Sequence, residues 1–443
     1  MTDDPQTGKP DGEPNEPDRP EGFYSPQIPG FPQIPGFDVS QIDLAQVMRW
    51  LASPGPVNWE IAHQVAGLVA LDGETDEPPV ADSAVEELTE LARAAESHVA
   101  AETGFDSPLG LTVSVVGRRE WADLHLDALR RVLEALAVAM RGTLEPEMPE
   151  GDEPGVPGHP SELGFGTAFG LPGGDDPFAG MLTMLAPLLL GVQSGSMVGH
   201  LAQHALGRYD LPLPTDDAPM LLFVAPNLVT FEEAWSLDRR DLRFYVALHE
   251  VVHATERSVP WVREHLVALA VEYVSAFEMD AHLLEEQFGA IDPTDPTSLS
   301  SVAAHPEALL GAMHSERQDR VLARLQGFTM VIEGYSDVVL ERLGERLLPD
   351  FSRIHEAMQR HHVDRGDAGR FVEGLLGLHL DREHYEKGQA FARGVIERAG
   401  IEGLNRLWAS PRMLPTPNEL DAPGLWLARI DLPELGDDQG AAQ

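Results

Sequence analysis

The sequence predicts a mainly helical fold with a few short β-strands. Apolar residues recur at helical spacing over most of the chain, and only two short runs read as strands. No glycine-rich phosphate loop of the Walker or Rossmann kind appears, which disfavours a nucleotide-binding α/β sheet. With 443 residues, 43% of them hydrophobic, the chain can bury one large core or two moderate ones.

Residues 1–37 are acidic and Pro-rich and read as a disordered tail. QIPGF occurs twice there, ending at Phe31 and Phe37; it fits a solvated linker or a short extended docking motif. An N-terminal helical region follows over 38–144. Helical patterns begin at Ile42, Leu44, Val47, Met48 and Leu51 and continue at 57–71 and 84–101. The run LTVSVVGRREW, 111–121, starts β-rich and enters a helix reaching about Met140. Residues 145–177 are rich in Pro, Gly and acid and read as a long loop. The region 178–432 is read as catalytic, and 433–443 as a second disordered tail.

Within the catalytic region, Met220 to Val224 is the clearest strand, closed by Pro226. Long helices are expected from about 240 to 288, 299 to 347, 350 to 362 and 385 to 408. A Pro-rich irregular stretch, PRMLPTPNELDAPGLW, comes after them. The apolar run from Phe178 to Val192 is shorter than the roughly 20 residues a bilayer requires, and Pro187 interrupts it. It reads as a core helix.

The charge balance, 31 Lys and Arg against 73 Asp and Glu, leaves a formal net charge of −42. Such a surface repels phosphates and anionic lipid heads, so neither nucleic acid nor membrane is an expected partner. The acidic N-terminus has no apolar core of the secretory type, and a cytoplasmic location is expected. Nothing in the pattern fixes an oligomeric state. The chain has no cysteine, so any metal must be held by His, Asp and Glu.

One motif answers that description. DLRFYVALHEVVHATE, 241–256, lacks Pro and Gly and reads as one helix. Residues four apart share a helix face, so His249 and His253 can aim imidazole nitrogens at a single ion. Glu250 lies at the lip of that face, placed to take a proton from water activated by the metal rather than to bind the metal itself. Two imidazoles and a carboxylate suit zinc best, one ion per chain. A third ligand is needed if a position is to stay open for water. The HExxHxxGxxH pattern is excluded, because Glu256 and Val259 stand where it requires Gly and His.

Two carboxylates compete for the third place. Glu272 has the shorter spacing. Glu333 lies on an apolar helix with Leu325, Phe328, Val331 and Ile332, where an unpaired carboxylate would be costly and a metal would resolve the cost. Asp337, one turn later, is placed to accept the second ring N–H of a ligand histidine. Glu278 and His282 also stand at helical spacing and read as a solvated face.

The landmarks VVGRREW (115–121), LGRYDLPLP from Leu206, FVAPNL (223–228), ALHEVVH (247–253) and VPWVREHL (259–266) come in a definite order. They are followed by IEGYSD (332–337), LLGLHL (375–380), YEKGQAF (385–391) and LPTPNELDAPGLWLARI (414–430). With them the chain resembles, from about residue 40 to 432, the actinobacterial zincin-like metallopeptidases of unassigned substrate. These are often labelled as associated with deazaflavin-coenzyme biosynthesis. The resemblance implies a mostly helical zincin-like fold of the glutamate-zincin type, with an active-site helix carrying HExxH. It also implies zinc ligands at His249, His253 and Glu333, with Glu250 as catalytic base.

The function expected is a zinc-dependent hydrolase acting on a peptide or protein substrate. The other reading is a catalytically silent zincin scaffold serving as a binding or coenzyme-biosynthesis accessory protein. Tyr335 could stabilise an oxyanion, but two positions from Glu333 an ideal helix points it away, which favours core packing. His265 could border the cleft or simply pack, while His361 and His362 read as surface residues.

Overall fold

The computed structural model describes residues 55–105, 111–142, 177–277, 315–363, 374–378, 380 and 382–432. The expectations for the terminal tails, for the helix at 42–51, for most of the 145–177 loop and for Glu278 and His282 fall outside these residues.

The described chain is mainly helical, as its patterning predicts. Helices α1 (Trp59–Ala70) and α2 (Asp82–Thr103) precede strand β1 (Val113–Val116), then α3 (Arg118–Ala128), α4 (Arg130–Gly142) and α5 (Pro177–Ala202). Strand β2 (Leu221–Val224) leads directly into α6 (Ala225–Trp235), α7 (Arg239–Arg257) and α8 (Pro260–Val274). Three long helices follow: α9 (Glu316–Leu347), α10 (Phe351–Val363) and α11 (Arg382–Asn405). Two short helices, α12 (Pro417–Leu420) and α13 (Pro423–Ile430), end the described chain.

β1 and β2 pair in parallel, with Val113 opposite Leu221 and Val116 opposite Val224. Gly207 adds an antiparallel bridge to Phe223, extending the sheet towards the segment after α5. All four residues of β2 are buried, which explains why it reads as a continuous apolar run. One hydrophobic core holds Leu88, Val99 and Trp121 from the first half together with Leu248, Ile332, Val339, Phe391 and Trp426 from the second. Among the described residues no helix is long and apolar enough to cross a membrane.

Prolines account for the differences from the expected boundaries. The helix expected from 240 to 288 is interrupted after Arg257 and restarts at Pro260. Pro at a first helical position loses nothing, because that N–H would have no partner within the helix. Pro411, Pro417 and Pro423 likewise open short helical turns in the stretch expected to be irregular. Thr416 and Glu419 cap one of them reciprocally. Inside α5, Pro187 turns its carbonyl outward to accept the Asn58 N–H at 2.8 Å.

The crossing of α9 and α11 is set by two glycines. A Cβ on Gly334 would lie 2.3 Å from the Gly388 backbone, and one on Gly388 would lie 2.3 Å from the Met330 carbonyl. That contact seats the helix turn carrying Glu333 against its neighbour. Gly388→Ala should therefore cost about 1–3 kcal/mol by overpacking, seen as a lower urea midpoint. Gly327→Ala, on the same α9 with open space around it, should instead raise the midpoint by about 0.4–1 kcal/mol of stability.

Candidate active site

Helix α7 is fixed at its start by Asp238, whose side chain accepts the N–H groups of Arg240 and Asp241. Arg243 then binds Glu87 of α2 at 2.7 Å and Glu232 of α6 at 2.6 Å. From Tyr245 onward the helix is buried, and its polar motif lies inside the protein. His249 is 6% exposed, and Glu250 and His253 are fully buried. The two imidazoles share one face as the spacing predicts, with ring centroids 4.6 Å apart and planes at 67°.

The segment after α5 supplies the partners of Glu250. One carboxylate oxygen accepts the Arg208 N–H and the other the Tyr209 N–H, both at 2.9 Å. Gly207 permits the approach, since a Cβ there would lie 2.4 Å from the carboxylate. Its carbonyl accepts the indole N–H of Trp121 at 2.8 Å, and Val224 donates to Leu206 at 3.0 Å. The sheet, α3 and α7 are thus tied together through four consecutive residues. The Tyr209 ring lies over His253 at 5.9 Å, with the Arg257 guanidinium 5.0 Å from the Tyr209 centroid.

Glu256, one turn beyond His253, makes a ring-nitrogen contact of the kind expected of Asp337. Its Oε2 stands 3.1 Å from His253 Nδ1, and Ser336 Oγ donates to its Oε1 at 3.3 Å. In the tautomer that donates Nδ1–H to Glu256, the lone pair of His253 sits on Nε2. Arg257 lies 3.7 Å from the same carboxylate. The sequence held this information, but Glu256 drew notice only for not being glycine.

Glu333 is buried on α9 at 8% exposure, close enough to His249 for its charge to act on the ring. Burial opposes protonation of His249, yet the carboxylates of Glu250, Glu333 and Asp210 outweigh it and raise its pKa. Asp337 also lies within electrostatic reach of His249. Burial, then the charge of Glu333, push its carboxyl up to about 7. Glu256 is driven well above the usual carboxylate range, by burial first and then by Glu333, against the pull of Arg257.

Glu272, the competing ligand candidate, is half-buried and paired with Arg324 at 3.0 Å. Tyr335 donates to Asn405 Oδ1 at 2.9 Å and packs edge-on against Trp408. His265 is edge-on to Phe328 at 5.1 Å, and burial and then Arg324 lower its pKa. His361 is a correction: its Nε2 stands 3.0 Å from Asp210 Oδ2, and its ring lies edge-on to Phe231. The helical face of α10 turns it inward from a stretch whose polarity suggested a surface.

Among the described residues, no three imidazole or carboxylate groups converge to common metal-ligating distance. The donor chemistry nevertheless fits a divalent cation. The two imidazoles stand edge to face with Glu333 within electrostatic reach of His249, and the lone pair of His253 that would bind is the one opposite the Glu256 contact. The surrounding carboxyls carry a burial penalty that a cation would offset.

A family model described as zincin-like metallopeptidase matches residues 57–427. The fold is similar to a crystal structure from Chloroflexus aurantiacus described as a candidate hydrolase with a novel fold. The TM-score is 0.57 at 24% identity, covering 85% of this chain and 99% of that one. No curated protein matches the chain. With the family model spanning most of its length and the fold and motif helix arranged as above, the chain belongs to the zincin-like metallopeptidase family.

Proposed function

We propose that the chain is a zinc-dependent hydrolase that cleaves peptide bonds, with His249, His253 and Glu333 holding the metal and Glu250 as general base. The observation that carries the reading is the placing of both imidazoles on one buried face of α7, with the buried Glu333 carboxylate of α9 close enough for its charge to act on His249. Family membership supports it, because a zincin-like metallopeptidase binds zinc and acts on peptides in general. A zinc ion held there supplies a Lewis acid that polarises a carbonyl and brings the pKa of water towards neutrality.

The chain's own residues do the rest. Glu250 accepts a proton from the attacking water; each of its oxygens, already bonded to one backbone N–H, retains a second lone pair for that task. The same two N–H groups hold the carboxylate still. Glu256 fixes the ring orientation and tautomer of His253, and Asp337 acts on His249 from α9 through its charge. Tyr209 and Arg257 close the far side of His253 against water.

One observation favours the scaffold reading instead: Glu250 is fully buried and each of its oxygens is bonded to backbone, as a purely structural anchor would be. Glu250→Gln separates the two. On the catalytic reading it lowers kcat about 10²–10⁴-fold and leaves zinc content unchanged. On either reading its amide nitrogen must face a backbone donor, which should cost about 1–3 kcal/mol of stability. A variant that hydrolyses peptides as well as wild type would remove Glu250 from the chemistry.

Metal content is the direct check on the ligands. Mass spectrometry of protein purified without chelator or added metal should find about one zinc per chain. His253→Ala and Glu333→Ala should lose most of it, and Glu272→Ala none. Loss in His253→Ala alone would exclude Glu333. Glu256→Gln should keep the metal but weaken it about 10–100-fold in chelator competition.

A further inference from the structure

Helix α1 divides its side chains unequally. Its large apolar residues, Ile61, Val65 and Val69, pack with Leu188 and Val192 of α5 in a small cluster of their own. Glycines bring the two helices together: a Cβ on Gly191, Gly195 or Gly199 would meet the Asn58, Ala62 or Ala66 carbonyl at 2.4, 2.3 or 2.7 Å. To the main core α1 gives as buried residues only Ala62, Ala66 and Ala70. Alanine removes little apolar area from water, so the hold of α1 on the body of the protein leans on polar contacts.

The chief of these is at His63, which is half-buried against α3. Its Nδ1 lies 2.7 Å from Asp123 Oδ1 and its Nε2 lies 3.5 Å from Asp127 Oδ1. The two aspartates stand four apart on one helix face and meet the ring from both of its polar edges. A carboxylate only accepts, so each contact asks for an N–H, and a neutral imidazole has one. Whichever nitrogen keeps the proton, the other turns a lone pair towards a carboxylate. Only the imidazolium satisfies both.

We propose that His63 is a pH-sensitive clip: as the imidazolium it holds α1 on α3 through both aspartates, and as the neutral ring it loosens that hold. The clip joins two helices that support the Glu250 clasp. The Val69 carbonyl of α1 accepts Gln203 Nε2 at 2.6 Å, and Trp121 of α3, two residues before Asp123, holds the Gly207 carbonyl. The segment between them is thus pinned once by each helix. This inference is independent of the peptidase reading.

The surrounding charges favour the protonated ring. The hydrogen bond to Asp123 raises the His63 pKa, burial opposes it, and the charges of Asp123 and Asp127 raise it further. From α4, Arg130 binds Asp127 at 3.1 Å and lies 4.0 Å from Glu134, which accepts the Trp59 indole N–H. Arg119 of α3 lies one turn farther along, over Gly67. On α1 itself Glu60 is exposed, and α5, on the other side, carries no Asp, Glu, Lys or Arg. Because the folded pKa lies above the ordinary value of about 6.5, the stabilisation is complete below that pH. It is lost as the pH rises through the folded value.

The test is amide hydrogen exchange of α1 in the full chain, wild type beside His63→Gln, which keeps a neutral donor and removes the charge. At about pH 5.5, below the titration, α1 should exchange about 2- to 5-fold faster in the variant. At about pH 8.5, above it, the two proteins should come together. Comparing them at each pH removes the pH dependence of exchange itself. The same difference at both pH values, or none at either, overturns the proposal. A second readout is the His63 ring resonance, assigned by its absence from the variant. It should titrate above the ordinary histidine value and move down in both Asp123→Asn and Asp127→Asn. Titration at or below the ordinary value, or a pKa that neither substitution lowers, overturns it as well.

Discussion

A carboxylate buried in a helical protein has to be given hydrogen bonds, and the clasp on Glu250 is the constraint from which the rest of this architecture follows. Because both its oxygens are taken by the Arg208 and Tyr209 N–H groups, the segment after α5 must run close against α7. That approach requires Gly207. It also requires the bridge from Gly207 to β2 and the Trp121 indole, which fastens the segment to α3. The small parallel sheet contributes little surface of its own. Its task is to set the depth at which the motif helix meets its partners.

The same economy appears around His253. Glu256, Ser336 and Arg257 crowd its Nδ1 side, so only the opposite edge is left in position for a ligand bond. Burying Glu256 and Glu333 with the half-buried Asp337 nearby concentrates negative charge in a low-dielectric interior, an arrangement that would be unfavourable without a cation. Helix α9 is held to this arrangement from behind by the glycine contact with α11. The long helices can therefore be read as a frame that brings one turn of α9 to one face of α7.

Much of this was legible in the chain itself. The i, i+4 histidines, the helix that carries them, both strands and the apolar surroundings of Glu333 follow from periodicity and from the cost of burying charge. For Glu272, the competing candidate, spacing alone does not show the pairing with Arg324. What periodicity cannot show is which distant residues close on the motif. Arg208 and Tyr209 contribute through backbone N–H groups, which leave no trace in side-chain identity. Asp210 meets His361 across 151 positions, and a polar local sequence disguised the inward face of α10. The helix breaks were missed for a different reason: a proline that starts a helix looks, in a string, like one that ends it.

The most direct test of the account is zinc K-edge X-ray absorption on the reconstituted chain. The account predicts a first shell of nitrogen and oxygen at about 2.0–2.1 Å, with outer-shell scattering from two imidazole rings. A first shell of oxygen alone, without imidazole scattering, would place the metal away from α7 and contradict it.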